Sequence, residues 1–188
     1  MKFLLSLLLY GLILTTCKTS DAAFSRSATP AQQAAIKAEL ARLITQFGDG
    51  IAETFSGNPS VIKYGQLFEY NENDAVVLFN LEGFGGSNHH AEFIAFFEEQ
   101  KPVEIAGKHS RRYRLVAASK LGERGWRTFD FASASIKQHA VTLKGVEMGA
   151  GDALCCPSIE IIRTFRIDEF DHILETKGGV NKRRTGKR

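Results

Sequence analysis

The sequence predicts an α+β domain in which one N-terminal amphipathic helix packs on a mainly antiparallel β-sheet. Two observations carry this prediction. Apolar residues recur at helical spacing over 36–47, and from Val61 onward they come in strand-length runs separated by turn residues. The connections between most of those runs are short, which favours hairpins and therefore antiparallel pairing.

Capping signals delimit the helix at both ends. Thr29 has the side chain of an N-cap, Pro30 suits the first helical position, and Gln32 stands where a capping box places glutamine. Gly48 is the expected stop. The stripe that should face the core consists of Ile36, Leu40, Leu43, Ile44 and Phe47.

The remaining apolar runs predict strands. Turn residues at 71–74, 101–102 and 137–139 separate several of them. The segment between 106 and 129 carries many charges and is interpreted as a long connection. The predicted strands span residues 61–70, 75–81, 91–97, 103–106, 129–136, 141–146 and 159–167.

The N-terminus has the composition of a secretory signal. Lys2 precedes an apolar run from Phe3 to Leu14, which is shorter than the roughly 20 residues of a permanent membrane helix. The small residues Ser20 and Ala22 flank Asp21 and fit a cleavage site, so a signal peptide is predicted over 1–22. The mature chain would then be a single domain over 23–176.

A lipoprotein signal is the alternative. Leu14-Thr15-Thr16-Cys17 resembles a lipobox, in which Cys17 would carry the lipid. Both interpretations predict export, to the periplasm or the cell surface, and they differ in whether the protein is anchored through Cys17.

The C-terminal residues 177–188 are predicted to form a basic, disordered tail. This stretch has no acidic residue and little apolar surface to bury, so it could touch an anionic surface or remain a solvated end. Its basic residues are Lys177, Lys182, Arg183, Arg184, Lys187 and Arg188.

Cys155 and Cys156 are the cysteines that remain once Cys17 is removed or lipidated. Adjacent cysteines do not make a disulfide framework, so they form either a strained vicinal disulfide with a redox role or small buried hydrophobes at a strand start. On an extended chain their side chains point to opposite sides. Two sulfurs fall short of a structural zinc set, and no metal or cofactor is predicted.

Two further segments contain residues that could bind a ligand. His89 and His90 follow a Gly-rich loop, which the pattern assigns to a hairpin. The segment 108–127 is rich in arginine and aromatic residues, so it is either a candidate contact for a polyanion or a solvated surface. Because the protein is predicted to be exported, no specific nucleic-acid partner is expected. The contact candidates are Arg111, Arg112, Arg114, Arg124 and Arg127.

Three short motifs resemble those of a scattered group of small exported bacterial proteins and lipoproteins that have no established activity. The similarity covers about residues 69–167, and it implies export and a shared fold without implying any chemistry. The motifs are Asp74-Ala75-Val76-Val77, Leu81-Glu82-Gly83-x-Gly85-Gly86 and Gly151-Asp152-x-x-Cys155-Cys156-Pro157-Ser158.

The expected function is that of a non-enzymatic binding or interaction module in the cell envelope, with an unknown protein or envelope component as partner. This expectation depends on the signal and on the lack of a recognisable catalytic motif such as Gly-x-Ser-x-Gly or His-Glu-x-x-His. The alternatives are a thiol-dependent or redox-active protein that uses Cys155 and Cys156, and a polyanion-binding envelope protein.

Overall fold

The computed structural model describes residues 29–50, 53–54, 60–84, 89–105 and 108–178, without the side chains of 53–54, 102–105 and 108–111. The predicted signal peptide, Cys17 and the tail from residue 179 onward lie outside these residues. Within the described ranges, no helix is both long and apolar enough to cross a membrane.

The described chain forms one helix and one antiparallel sheet. The elements are α1 (Pro30–Phe47), β1 (Glu53–Thr54), β2 (Val61–Gly65), β3 (Asp74–Glu82), β4 (His90–Ile105), β5 (Lys108–Glu123), β6 (Arg127–Lys137), β7 (Ala140–Glu147), β8 (Ile159–Ile167) and β9 (Ile173–Lys177). In the sheet the strands follow the order β1-β3-β4-β5-β6-β7-β8-β9, and β2 pairs with β3 beside β1. The broad prediction of an N-terminal helix on an antiparallel sheet is therefore confirmed, although the sheet is larger than predicted.

The helix begins and ends where its capping residues predict. Thr29 Oγ1 accepts a hydrogen bond from the backbone N–H of Gln32 at 3.3 Å, and Gln32 Oε1 accepts one from the Thr29 N–H at 2.9 Å. Gly48 caps the C-terminus by donating its N–H to the Ile44 carbonyl at 2.8 Å. Of the predicted apolar stripe, Ile36, Leu40 and Leu43 are buried, and Ile44 and Phe47 are half-buried.

The sheet folds over on itself at the junction of β5 and β6. These two strands share a single described pair, Glu123 with Arg127. Ile136 of β6 packs against Gly65 of β2, although β3, β4 and β5 separate the two strands in the sheet order. The half formed by β1–β5 therefore lies over the half formed by β6–β9, and helix α1 covers the outer face of the first half.

Two apolar cores result from this arrangement. The inner core lies between the two halves of the sheet and includes Leu78, Phe96, Phe129 and Phe165. The outer core lies between the first half and the helix. It contains Ile36, Leu43, Ala75, Val77, Phe79, Phe93, Ala95 and Phe97. Residues of β3 and β4 alternate between the two cores, which explains why both strands are apolar on both faces.

Three sequence-based predictions about the strands are wrong. The predicted strand 61–70 ends at Gly65, because Asp74 Oδ2 accepts hydrogen bonds from the N–H groups of Leu67 and Phe68 and holds the chain in a turn. The predicted turn at 101–102 is a register shift within the continuous strand β4. Proline lacks an N–H group for the ladder, and a bulge accommodates it.

The third wrong prediction is the long connection between 106 and 129, most of which is strand β5. Its charged residues alternate with residues that face a core, such as Tyr113 and Leu121, but register shifts in the β4–β5 pairing break the period of two.

Strand β9 was not predicted. Lys177, assigned to the tail by the sequence, is its last residue.

Candidate functional site

Two adjoining clefts open beside the turn that joins β5 to β6. The first has a volume of about 350 Å3 and is lined by His90, Glu123, Arg124, Gly125, Trp126, Arg127, Thr128, Met148, Leu154, Cys155 and Pro157. The second, of about 450 Å3, is lined by Phe47, Phe84, His89, His90, Ala91, Phe93, Lys120, Glu123 and Arg124. Both clefts are therefore bordered by His90, Glu123 and Arg124.

The first cleft lies between the β5–β6 turn and the loop 148–158. The Met148 N–H donates to the Trp126 carbonyl at 2.9 Å and fastens the start of the loop to the turn. Leu154 lies over Gly125, and its Cδ2 would be 3.1 Å from a Cβ added there. Gly125 also has a φ of +81°, which side chains other than glycine rarely adopt, so this turn requires glycine.

Asp152 holds the loop in shape. Its Oδ2 accepts hydrogen bonds from the backbone N–H groups of Gly149 at 2.6 Å and Ser158 at 2.9 Å, and its Oδ1 accepts one from Ser158 Oγ at 2.9 Å. One carboxylate thus joins the two ends of the segment 149–158, and this segment presents Leu154 and Cys155 to the cleft.

The second cleft has an aromatic floor. The rings of Phe47 on α1 and Phe93 on β4 lie 5.0 Å apart, and Phe93 stacks on Phe79 of β3 at 5.2 Å. Phe84, after β3, completes the apolar surface. Since these rings belong to the outer core, the cleft is a place where that core reaches the surface beyond the end of the helix.

The rim of the clefts is cationic, and one of its cations has no partner within the described part of the chain. Lys120 Nζ forms an ion pair with Glu123 at 2.9 Å. Arg124 is exposed, borders both clefts, and has no hydrogen-bond or ion-pair partner among the described residues. The clefts therefore combine apolar walls with a guanidinium that is available to an external anion.

Arg127 lies beneath the first cleft and is 6% exposed. Its guanidinium donates to both carboxylate oxygens of Glu175, at 2.5 and 2.8 Å, and its Nε donates to the Leu121 carbonyl at 2.5 Å. It also stacks under the Trp126 ring at 4.0 Å from the centroid. Arg127 thereby positions the cleft's tryptophan and is itself already occupied by protein groups.

A second buried arginine extends this ion-pair network. Arg163 Nη2 donates to Glu147 Oε2 at 2.7 Å. Its Nε lies 3.1 Å from Glu175 Oε1, an ion pair whose angle is too poor for a hydrogen bond. Arg127 and Arg163 therefore share Glu175, and with Glu147 these ion pairs link all four strands of the second half of the sheet.

Glu92 is a buried carboxyl near the same network. Its oxygens accept hydrogen bonds from Thr128 Oγ1 and from the Phe129 N–H, the latter at 2.8 Å. Burial raises its pKa to about 7, although these two hydrogen bonds and the charge of Arg127 oppose the shift. Glu92 can therefore gain or lose a proton near neutral pH without contacting either cleft.

Cys155 and Cys156 are both exposed, and the two are not bonded to each other. The interpretation of the pair as buried core residues is wrong, because the loop held by Asp152 carries it on the surface. A hydrogen bond with Cys155 is the main cause that raises the pKa of Cys156, and the charge of Asp152 acts in the same direction. Cys155 lines the first cleft.

The arginines proposed for polyanion contact do not share one setting. Arg114 is paired with Glu98 at 3.0 Å and with Asp171 at 3.3 Å, and Arg127 is buried. Arg112 is exposed on β5, and the side chain of Arg111 lies outside the described residues. Arg124 is the member of this set that combines exposure with a cleft.

The two histidines predicted to lie in a hairpin both border the second cleft, and His90 begins β4. In the part of the chain that the structure describes, no three His, Cys, Asp or Glu side chains are grouped so as to hold a metal ion. The sequence placed Trp126 in the basic segment and Leu154 in the cysteine motif, but it did not predict that these residues, 43% and 66% exposed, line one cleft. The glycine between Arg124 and Trp126 was the one local signal of a turn at this point.

Comparison of the chain with protein-family models, with curated proteins and with solved structures finds no match in any of the three. Inference about function therefore starts from the geometry of the clefts.

Proposed function

We propose that this protein is a non-enzymatic binding module of the cell envelope and that the two adjoining clefts are its ligand site. The observation that carries the proposal is the position of Arg124, an exposed cation that no described side chain pairs with, on the border between two apolar-walled clefts. The composition of residues 1–22 supports export, either as a soluble protein or anchored through Cys17.

The ligand class follows from the two kinds of surface in the clefts. The rings of Phe47 and Phe93, with Trp126 in the neighbouring cleft, suit an apolar body. Arg124 suits an anionic group such as a carboxylate, which guanidinium binds through two parallel hydrogen bonds. The ligand is therefore an amphipathic anion, such as a fatty acid or an aromatic acid.

The chemistry of the cleft residues favours binding over catalysis. Glu123 is engaged by Lys120, and Arg127 by Glu175. Cys156, which lines neither cleft, has a raised pKa, whereas an activated nucleophilic cysteine needs a lowered one.

The test uses Trp126, which is the only tryptophan of the chain and lines the first cleft. Its fluorescence is recorded while the protein is titrated with a medium-chain fatty carboxylate and, separately, with the alcohol of the same chain length. The carboxylate should change the emission and bind more tightly than the alcohol. If neither compound binds, the proposed ligand class is refuted.

Arg124→Gln should weaken carboxylate binding by about tenfold or more, because hydrogen bonds to charged groups contribute about 1.5–3 kcal/mol. Binding of the alcohol should change little. Arg112→Gln is the matched control, since Arg112 is exposed on β5 and lines neither cleft. Equal losses in both variants would indicate a general effect of charge instead of a site at Arg124.

A thiol-dependent or redox role is a second candidate, and the exposure of both cysteines favours it. Oxidation by an external disulfide would join Cys155 and Cys156, and the two thiol hydrogens would leave on the reduced partner. Thiol titration with and without reductant tests this role. A folded chain whose mass is lower by two hydrogens would support the vicinal disulfide, and two free thiols without reductant would count against it.

A further inference from the structure

The cysteine pair lies in a tight turn. The Cys156 N–H donates to the Ala153 carbonyl at 2.8 Å and closes the turn from Ala153 to Cys156. Adjacent side chains diverge on an extended strand, whereas here the last two residues of one closed turn carry the two thiols. Both are free and exposed, so a reagent in solvent can reach both sulfurs at once.

The turn is held by its surroundings. The three hydrogen bonds accepted by Asp152 join Gly149 to Ser158 around the pair, and Pro157 restricts the backbone directly after it. These hydrogen bonds and Pro157 already restrict the conformations of the two cysteines. The cysteines therefore lose less conformational freedom when both sulfurs bind one atom. Preorganisation of this kind favours chelation over two independent reactions.

We propose that Cys155 and Cys156 form a chelating dithiol site for a trivalent arsenical, a thiophilic centre that two neighbouring sulfurs can bind together. This site does not depend on the ligand proposed for the clefts, although Cys155 lines the first of them.

The chemistry of the pair selects this class of ligand. Soft sulfur ligands prefer thiophilic centres to hard cations. A structural zinc ion needs four ligands, and the described residues do not provide a third suitable side chain beside the two sulfurs. The chelate ring would contain one atom more than the ring of a vicinal disulfide, which relieves the distortion that adjacent cysteines impose.

The reaction is balanced without any oxidant. An organic arsenous oxide has an As=O group, and two As–S bonds form as that group is lost. The oxygen leaves as water with the two thiol protons, and arsenic remains trivalent.

Phenylarsine oxide is the probe. The full chain is used with the substitution Cys17→Ser, which leaves Cys155 and Cys156 as its only cysteines. After reduction, intact mass spectrometry should show one phenylarsenic group per chain. The adduct should survive excess monothiol, such as 2-mercaptoethanol, and should be removed by a dithiol, such as dimercaptopropanol.

Cys155→Ser and Cys156→Ser are the matched variants in the same background. Each should bind phenylarsine oxide at least about 100-fold more weakly than the parent, because the second sulfur acts intramolecularly in the chelate. Iodoacetamide should label two sites in the reduced parent and one in each variant, and circular dichroism should show that all three chains fold.

Three results would overturn the site. They are two phenylarsenic groups per chain, release of the adduct by monothiol, and equal affinity of the parent and the single variants. Absence of reaction in a reduced parent whose two thiols both alkylate would also overturn it. None of these results bears on the binding of a fatty carboxylate, so the two proposals fail separately.

Discussion

The two faces of strands β3 and β4 are buried in different ways. The outer face packs on the helix with almost entirely apolar side chains, such as Phe79 and Phe93. The inner face is also apolar over most of its area, but the same interior encloses the charged residues Asp74, Glu92 and Arg127. The stability of the outer face therefore depends on buried area, and that of the inner face depends also on charge pairing and pH.

This difference bears on the candidate site, because each cleft adjoins one of the two cores. The aromatic cleft is an extension of the outer core through Phe93. The cleft at Trp126 lies above the ion pairs of Arg127. Five substitutions test the comparison, and they follow from the largest expected effect on stability to the smallest.

Arg127→Ala should have the largest effect. It removes one of the two arginine partners of Glu175 and a donor to the Leu121 carbonyl, so the free energy of unfolding should fall by about 3–5 kcal/mol. Urea denaturation measures this loss. Arg114→Ala is the control, since its exposed pairs with Glu98 and Asp171 should contribute no more than about 1 kcal/mol. Similar losses in both variants would mean that the buried ion pairs of Arg127 contribute no more to the free energy of unfolding than the exposed pairs of Arg114.

Leu40→Ala tests the outer core. Leu40 is 9% exposed on the helix face that packs on the sheet, and truncation of buried leucine costs about 2–5 kcal/mol. The melting temperature should fall clearly, whereas Lys37→Ala on the exposed face should leave it nearly unchanged. An unchanged melting temperature for Leu40→Ala would mean that the helix contributes little to the fold.

Glu92→Gln tests the pH dependence of the inner face. The pKa of Glu92 is raised from 4.5 to about 7 in the folded protein, so the folded state binds the proton more tightly than the unfolded state. Its contribution to stability is therefore present below pH 4.5 and is lost as pH rises to about 7, by up to about 3 kcal/mol.

The Gln variant should lack this loss, so its stability relative to the wild-type protein should increase between pH 4.5 and 7. Asp74 titrates in the same direction because burial raises its pKa, and the difference between wild type and variant removes that contribution. Parallel stability curves from urea denaturation at several pH values would contradict a raised pKa at Glu92.

Cys155→Ser and Cys156→Ser should have the smallest effect on stability. Both side chains are exposed, so each change should alter the free energy of unfolding by no more than about 0.5 kcal/mol. Thermal and urea denaturation of the reduced proteins provide the measurement. A loss of several kcal/mol would instead indicate that the cysteines are buried in a core, as in the sequence interpretation that made them small buried hydrophobic residues.

The accuracy of the sequence predictions differs between the helix and the strands. Both ends of the helix were predicted because Thr29, Gln32 and Gly48 act on neighbouring backbone groups, within one turn of their own position. Strand β8, over 159–167, was also predicted with its observed bounds. Strand β5 was missed because its pairing with β4 is irregular, and a pattern of period two is lost wherever the register shifts.

The sequence by itself determined the helix, most of the strands, the likeness of residues 1–22 to a secretory signal and the adjacency of the two cysteines. The tertiary structure decided that the sheet folds over at Glu123 and Arg127 and that Trp126 and Leu154 meet Arg124 at a cleft. It also decided that Arg127 is buried while Arg124 is exposed. It also placed the cysteines in an exposed turn. The physical reason is the separation along the sequence of the residues that interact. Caps, turns and periodicity depend on neighbours in the chain. Clefts and ion pairs join residues that only the folded sheet brings together, such as Arg127 and Glu175.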